Sequence, residues 1–283
     1  MPKVDVNQKL TDKIIEMLDA GVVPWHKPWA TSPAINAITG RRYKGINVWL
    51  LAANTYTDPR WITYNKAKEF GGQVRKGETS TFIVLWMPFT TQDKDGNDVK
   101  RFYLKYYNVF NVEQIDDLDT SKLYKLPNNT LTVKESQEAA DAIIAGMPNP
   151  PRIEYGGDVA SYRLTSDVVN MPKMEVFESA DAFYSSHFHE LTHSTRGARR
   201  LNRDNEPNEF GCENYAKEEL VAEFGSSFLC AHAGINTTLE NSAAYIANWR
   251  TKLSEDKTLV MSAASKGEKA ANYILGIEAE VYN

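Results

Sequence analysis

Apolar positions along this chain recur at two spacings, and each change of spacing marks a change of element. Between Asn7 and Ala20, Leu10, Ile14, Met17 and Leu18 fall on one helical face, and Gly21 follows. This predicts an amphipathic helix closed by glycine. Gly45-Ile46-Asn47 opens a second helix carrying Val48, Leu50, Leu51 and Ala52, and Thr63 stands where it can cap a third, which Gly71-Gly72 end. From Thr81 the period becomes two. Thr81–Trp86 and Val99–Phe110 read as strands joined through Asp93–Asp98, with Asp95-Gly96 at the tip. On the return strand Phe102, Leu104 and Tyr106 alternate with Arg101, Tyr103, Lys105 and Tyr107. One face is therefore apolar, and the other interleaves cations with aromatic rings.

Tyr124 to Thr132, with Pro127-Asn128-Asn129, reads as a linker, and a helix from Lys134 to Ala145 follows it. Ile153–Tyr155 and Val159–Leu164 are expected to form a hairpin around Gly156-Gly157, and Val168–Met171 a short strand that Pro172 confines to a sheet edge. Ser179 can cap a helix running to about Ser194, anchored by Phe183, Tyr184 and Phe188. A glutamate-rich helix begins near Asn214 and ends at Gly234, and helices over Asn241–Leu253 and Lys257–Leu275 complete the chain. The pattern is α+β. Two domains are expected, 1–125 and 126–283.

With 42% hydrophobic and 24% charged residues in 283, the composition is that of a folded globular protein. No apolar run reaches membrane-spanning length and the N-terminus lacks the apolar core of a signal peptide, so no membrane partner and a cytoplasmic location are expected. Cys212 and Cys230 have no metal-binding spacing and are expected to be reduced thiols. The net charge of −5 conceals an asymmetry: residues 1–110 hold 16 Lys and Arg against 10 Asp and Glu, whereas residues 131–283 hold 14 against 23. A basic first part joined to an acidic second part fits a nucleic-acid-binding module attached to something else.

The chemistry concentrates at His189-Glu190-Leu191-Thr192-His193. Residues four apart share a helix face, so both imidazoles reach one ion, and Glu190 stands where it can take a proton from water. Zn2+ is the expected cofactor. A catalytic zinc site needs a third protein ligand. A continuation with Gly at 196 and His at 199 is ruled out by Arg196 and Arg199. A glutamate on the later helix is the better source. Glu219 and Glu223 share a face, so Glu219 is favoured as ligand and Glu223 as the carboxylate that supports a ligand histidine, with Glu218 the lesser choice.

The aromatic and basic strand face has a different use. Arg101, Tyr103, Lys105 and Tyr107 present cations for phosphates and rings for unpaired bases, which suits single-stranded DNA. Trp25 and Trp29, in two Pro-Trp units, and Arg41, Arg42, Lys44, Arg75 and Lys76, in turns, are expected to extend this surface.

Together these stretches resemble the ArdC antirestriction proteins of conjugative plasmids and phages. The first part carries GVVPWHKPW, GINVWLL, RWITYNKAKEFGGQVRKGE and YNVFNVEQID, similar to the ArdC-type single-stranded-DNA-binding domain. The second carries HELTHSTRGARRLNR and NYAKEELVAEFGSSFL, similar to a zincin-like metallopeptidase domain. The resemblance implies protection of incoming, transiently single-stranded DNA. It carries over His189 and His193 as ligands, Glu190 as base and a glutamate of the EELVAE segment as third ligand. It leaves open whether a host restriction component or another protein is cleaved. A pure DNA-coating protein with a structural or vestigial metal is the alternative, and a zinc nuclease ranks last because no two-metal carboxylate cluster is visible.

Overall fold

The computed structural model describes residues 5–24, 33–126, 131–203, 213–236 and 243–277. Two units account for them: Met1–Ile14 with Thr31–Asn128, and Ile15–Ala30 with Asn129–Asn283, so that α1 (Val6–Asp19) is divided between the two.

The first unit continues with β1 (Ile35–Asn36), α2 (Asn47–Ala52), β2 (Arg60–Ile62), α3 (Tyr64–Glu69), β3 (Gln73–Val74), β4 (Thr81–Gln92), β5 (Asp98–Asn111) and β6 (Ile115–Asp116). Four strands make one sheet in the order β1-β2-β5-β4, and β3 pairs with β6 in a separate ribbon. Successive residues of a strand face opposite sides. Accordingly Trp61 of β2 enters a cluster with Ala34, Leu51, Ile83 and Val109, while Ile62 enters another with Ala37, Ala67, Ile115 and Leu123. The buried Asn47 amide locks α2 to the sheet: it donates to the Val84 carbonyl at 2.8 Å and accepts the Val84 N–H at 2.7 Å.

Beyond Val84 this cover stops. β4 and β5 stay paired from Thr81 opposite Val109 to Gln92 opposite Asp98, well past the strand end at Trp86 read from the sequence. Pro88 is tolerated there because β4 is the sheet's edge, where a missing N–H costs no ladder bond. On the outer rungs Trp86 is 57% exposed, Phe102 52%, Tyr103 43% and Phe89 42%. The hairpin thus ends as a two-stranded arm with solvent on both faces.

In the second unit the Thr132 hydroxyl and Glu135 carboxylate form a capping box at the start of α4 (Val133–Gly146). Then come β7 (Arg152–Tyr155), β8 (Ser161–Arg163), β9 (Val168–Met171), α5 (Ala180–Ser194), α6 (Glu213–Ala233), α7 (Ala243–Glu255) and α8 (Leu259–Ile274). The strand order is β7-β9-β8, which corrects two expectations. β7 and β8 do not form a hairpin, because β9 lies between them, parallel to β7 and antiparallel to β8. Nor is β9 an edge. Val168 and Val169 point to opposite faces and both are fully buried, the mark of a strand covered on both sides, and Pro172 falls one residue past the last pair, Tyr155 with Met171. The edge strands are β7 and β8.

Two glycines let the helices approach closely. A Cβ on Gly225 of α6 would lie 2.4 Å from Thr192 Cγ2 of α5, and one on Gly267 of α8 would lie 2.7 Å from Phe224 Cβ of α6. Helix α6 is held between the other two with no room for a methyl group at either contact.

Candidate metal centre

The Ser179 hydroxyl accepts the Ala182 N–H and starts α5, whose next turns bury Phe183, Tyr184, Phe188 and Leu191 in the core of the second unit. That burial fixes the helix's rotation and turns His189 and His193 outward together. Their Nε2 atoms stand 3.0 Å apart. From α6, Glu219 brings Oε2 to 3.4 Å from His189 Nε2 and Oε1 to 3.4 Å from His193 Nε2. Among the described residues these three are the group able to hold a metal ion. They fit one. Donors about 2.0–2.1 Å from a tetrahedral ion are separated from each other by about 3.4 Å. The two nitrogens, 3.0 Å apart, each have a Glu219 oxygen at 3.4 Å, close to that separation, and two imidazoles with one carboxylate are the donor set of a zincin site.

The electrostatics call for a cation. Burial pushes the His193 pKa down, but Glu218 and Glu219 outweigh it and raise it to about 10. His189 also ends above its ordinary value, against desolvation, through Glu219 and the charges of Glu223 and Glu190. Burial acts to raise the Glu219 carboxyl, yet the two histidines hold it well below the usual range. Protons and a metal ion compete for the same two Nε2 atoms.

Glu190 is nearly buried and lines the same cleft, of about 470 Å³, which is also lined by β8 (Ser161–Arg163) and the turn residues Leu164 and Thr165. Arg200 fixes that lining. Its buried guanidinium donates to both carboxylate oxygens of Asp167, at 2.8 and 3.0 Å, and to the Ser194 carbonyl at 3.0 Å. The β8–β9 turn is thereby tied to the end of α5. Glu223 is buried on α6 and acts on His189 through its charge. Glu218 lies against the other histidine, its Oε1 3.6 Å from His193 Nδ1, and is itself paired with Arg203 at 2.5 Å. Sequence spacing gave no sign of this contact, because Arg203 reaches it from the loop after α5.

The nucleic-acid surface expected in the first unit is only partly assembled. Arg101, Tyr103 and Lys105 are exposed on one face of the arm. Tyr107 points the same way but packs at the arm's root on the Trp61 cluster, so its ring is half-buried. Tyr43 packs on that cluster too, which brings the exposed Arg41, Arg42 and Lys44 to the root of the arm. Arg75 is engaged elsewhere, with Glu78, Asp116 and the Glu113 carbonyl, while Lys76 beside it is exposed. Trp25 and Trp29 lie outside the described residues. The structure adds exposed rings on both faces of the arm: Phe89 beside Tyr103, and Trp86 with Phe102 on the opposite face, which the alternation read as apolar.

Comparisons with known proteins agree in order and extent. The N-terminal domain of anti-restriction factor ArdC matches residues 4–110, and a zincin-like metallopeptidase family matches residues 138–266. Two DNA primase TraC proteins of Escherichia coli are each 35% identical over 98% of this chain, which spans only 20% and 27% of their lengths. The uncharacterized protein y4eC of Sinorhizobium fredii is 30% identical over 95% of this chain and 91% of its own. The metal-free crystal structure of the antirestriction ArdC protein from plasmid R388 superposes with a TM-score of 0.76 at 34% identity, covering 98% of this chain and 100% of that one. Its Mn(II)-bound form gives 0.75 at 34%, over 96% and 98%. No described helix is long and apolar enough to cross a membrane.

Proposed function

The chain belongs to the ArdC antirestriction family, and from that premise we propose that it shields incoming DNA from restriction in the cytoplasm of the recipient cell. The first unit binds single-stranded DNA, and the second carries a divalent-metal site with peptidase chemistry. The observation that carries the second half is the convergence of His189, His193 and Glu219 within ligand distance of one ion beside Glu190.

When bound, the metal supplies Lewis-acid activation of water and of a peptide carbonyl. Zinc suits the nitrogen-rich donor set, and the R388 relative has been seen in a Mn(II)-bound form, which supports a divalent metal. His189, His193 and Glu219 hold the ion. Glu190 takes the proton of the attacking water and returns it to the amide nitrogen as the C–N bond breaks. The open edge of β8 offers backbone groups on which an extended polypeptide lies as an added strand. The substrate is a protein, either a component of the host restriction system or another polypeptide.

Exposure of Trp86, Phe89, Phe102 and Tyr103 on the arm favours a second reading, in which coating of single strands gives all the protection. An antirestriction assay with Glu190→Gln, paired with metal analysis, separates the two. Metal content is expected to stay at the wild-type level because Glu190 is a base and not a ligand, while protection falls. Full protection with full metal content would remove the peptidase half and leave the coating half.

A further inference from the structure

The two ligand histidines differ on the side away from the metal position. His189 Nδ1 is buried and has no hydrogen-bond partner among the described residues. His193 Nδ1 instead faces Glu218 Oε1 at 3.6 Å, ion-pair distance and a few tenths of an ångström beyond a hydrogen bond. Glu218 is 3% exposed and cannot turn to water. Arg203, 6% exposed, holds it in place: Nη2 donates to Glu218 Oε1 at 2.5 Å and to the Thr192 carbonyl at 3.2 Å, and Nη1 donates to the Thr195 hydroxyl. The loop that delivers Arg203 is itself pinned to the end of α5, with Leu201 N–H on Thr195 O at 2.9 Å and Arg203 N–H on Arg196 O at 3.2 Å. One guanidinium therefore joins the last turn of the histidine helix to the first described turns of the glutamate helix.

We propose that the Arg203–Glu218 pair is the positioning device for His193: Glu218 accepts the Nδ1 proton, which fixes the tautomer and ring angle and leaves the Nε2 electron pair for a divalent metal. This rests on the metal-site reading above and sharpens it. Glu218 is not a fourth ligand, because its Oε1 is turned to Nδ1 and Arg203, away from both Nε2 atoms. It is a different carboxylate from Glu223, the support that spacing favoured, and it acts on the other histidine. Carboxylates in this relation to a ligand histidine raise its basicity and limit its rotation, and their loss costs about 10–100-fold in metal affinity.

The test is Zn2+ affinity of the full chain by competition with a chromophoric chelator, together with nitrogen-15 spectra of the imidazoles in zinc-loaded protein. Glu218→Ala is expected to weaken zinc about 10–100-fold and to lose the hydrogen-bonded Nδ1–H signal of His193, with His189 unchanged. Glu218→Gln keeps an oxygen facing Nδ1 and is expected to retain that signal and most of the affinity. Should Glu218→Ala not fold, Glu218→Gln and Arg203→Lys decide the matter. Arg203→Lys replaces the planar fork by one ammonium nitrogen that cannot reach Glu218 and Thr195 together, and should broaden the His193 signal while Glu218→Gln keeps it. Zinc affinity within twofold of wild type in Glu218→Ala, or, where that variant does not fold, an unaltered His193 signal in Arg203→Lys, overturns the proposal. His189→Ala serves as the reference. If it too binds zinc like wild type, the metal site itself is wrong. If it alone loses zinc, the site stands and only the positioning role falls.

Discussion

At the scale of single residues, the second unit spends one histidine on packing. His187 is fully buried, its ring meets Phe183 and Tyr155 edge-on, and neither nitrogen has a hydrogen-bond partner among the described residues. Burial pushes its pKa down to about 4. In the unfolded chain it titrates near 6.5, so from about pH 6.5 to 4 the unfolded state binds the extra proton. Stability on its account is complete above about pH 6.5 and drains away as pH falls toward 4, by at most about 3 kcal/mol. His187→Phe keeps the ring contacts, so unfolding curves between pH 7 and 4 should show it losing less stability than wild type. Parallel losses in the two proteins would mean that His187 finds a proton partner when folded. In the sequence this residue is only a third histidine two positions before the motif. The pair at 189 and 193 was legible because four residues make one helical turn, a local fact. Glu219 was within reach as a carboxylate on a buried-face helix. The Glu218–Arg203 contact was not, because it depends on where a loop returns in space.

At the scale of elements, the centre depends on how near α5 and α6 can come. Gly225 sets that distance, since a methyl group there would meet Thr192 Cγ2 at 2.4 Å and Oγ1 at 2.6 Å. Thr192 sits between the two ligand histidines, so widening the gap moves them away from Glu219. Gly225→Ala is expected to cost about 1–3 kcal/mol by overpacking and to weaken zinc binding with it. Thr192→Ala removes both clashing atoms, at the cost of the Thr192 hydroxyl's bond to the Phe188 carbonyl. In that background Gly225→Ala should cost much less, and a double-mutant cycle on thermal unfolding and zinc affinity measures the coupling. Additive losses would show that the helix spacing is set elsewhere. The helices themselves were readable from caps and apolar stripes, but not their separation. The three-stranded sheet misled for a related reason: Pro172 argues for an edge only if it lies inside the paired stretch, and pairing is a property of three strands together.

At the scale of the whole molecule, charge and chemistry run in parallel. The basic first part bears the exposed rings and the acidic second part bears the metal donors. Single-stranded DNA should therefore be held by two separable forces. Arg101→Ala or Lys105→Ala should flatten the dependence of log affinity on log salt by about 0.7 each, while Trp86→Ala or Tyr103→Ala should lose about 1–3 kcal/mol at every salt concentration. Because these side chains are exposed, thermal stability should change by no more than about 0.5 kcal/mol. Normal binding by the tryptophan and tyrosine variants would assign the arm to something other than stacking. Alternation along the strand showed which residues share a face. It could not show that the rings of the outer half are left exposed, since that depends on where the neighbouring elements end.

The uncovered arm also has a signature in time. Two strands with no third layer open readily in water. Amide protons near Val84, under the Asn47 lock, should exchange with solvent only when the whole unit unfolds, whereas those from Met87 outward should exchange in brief local openings that leave the rest intact. The hairpin is then graded along its length, with slow amides at its root and fast ones at its tip. A strand of DNA stacked on Trp86 and Phe102 would slow the tip alone, so the position where protection begins reports how far along the arm the bases reach.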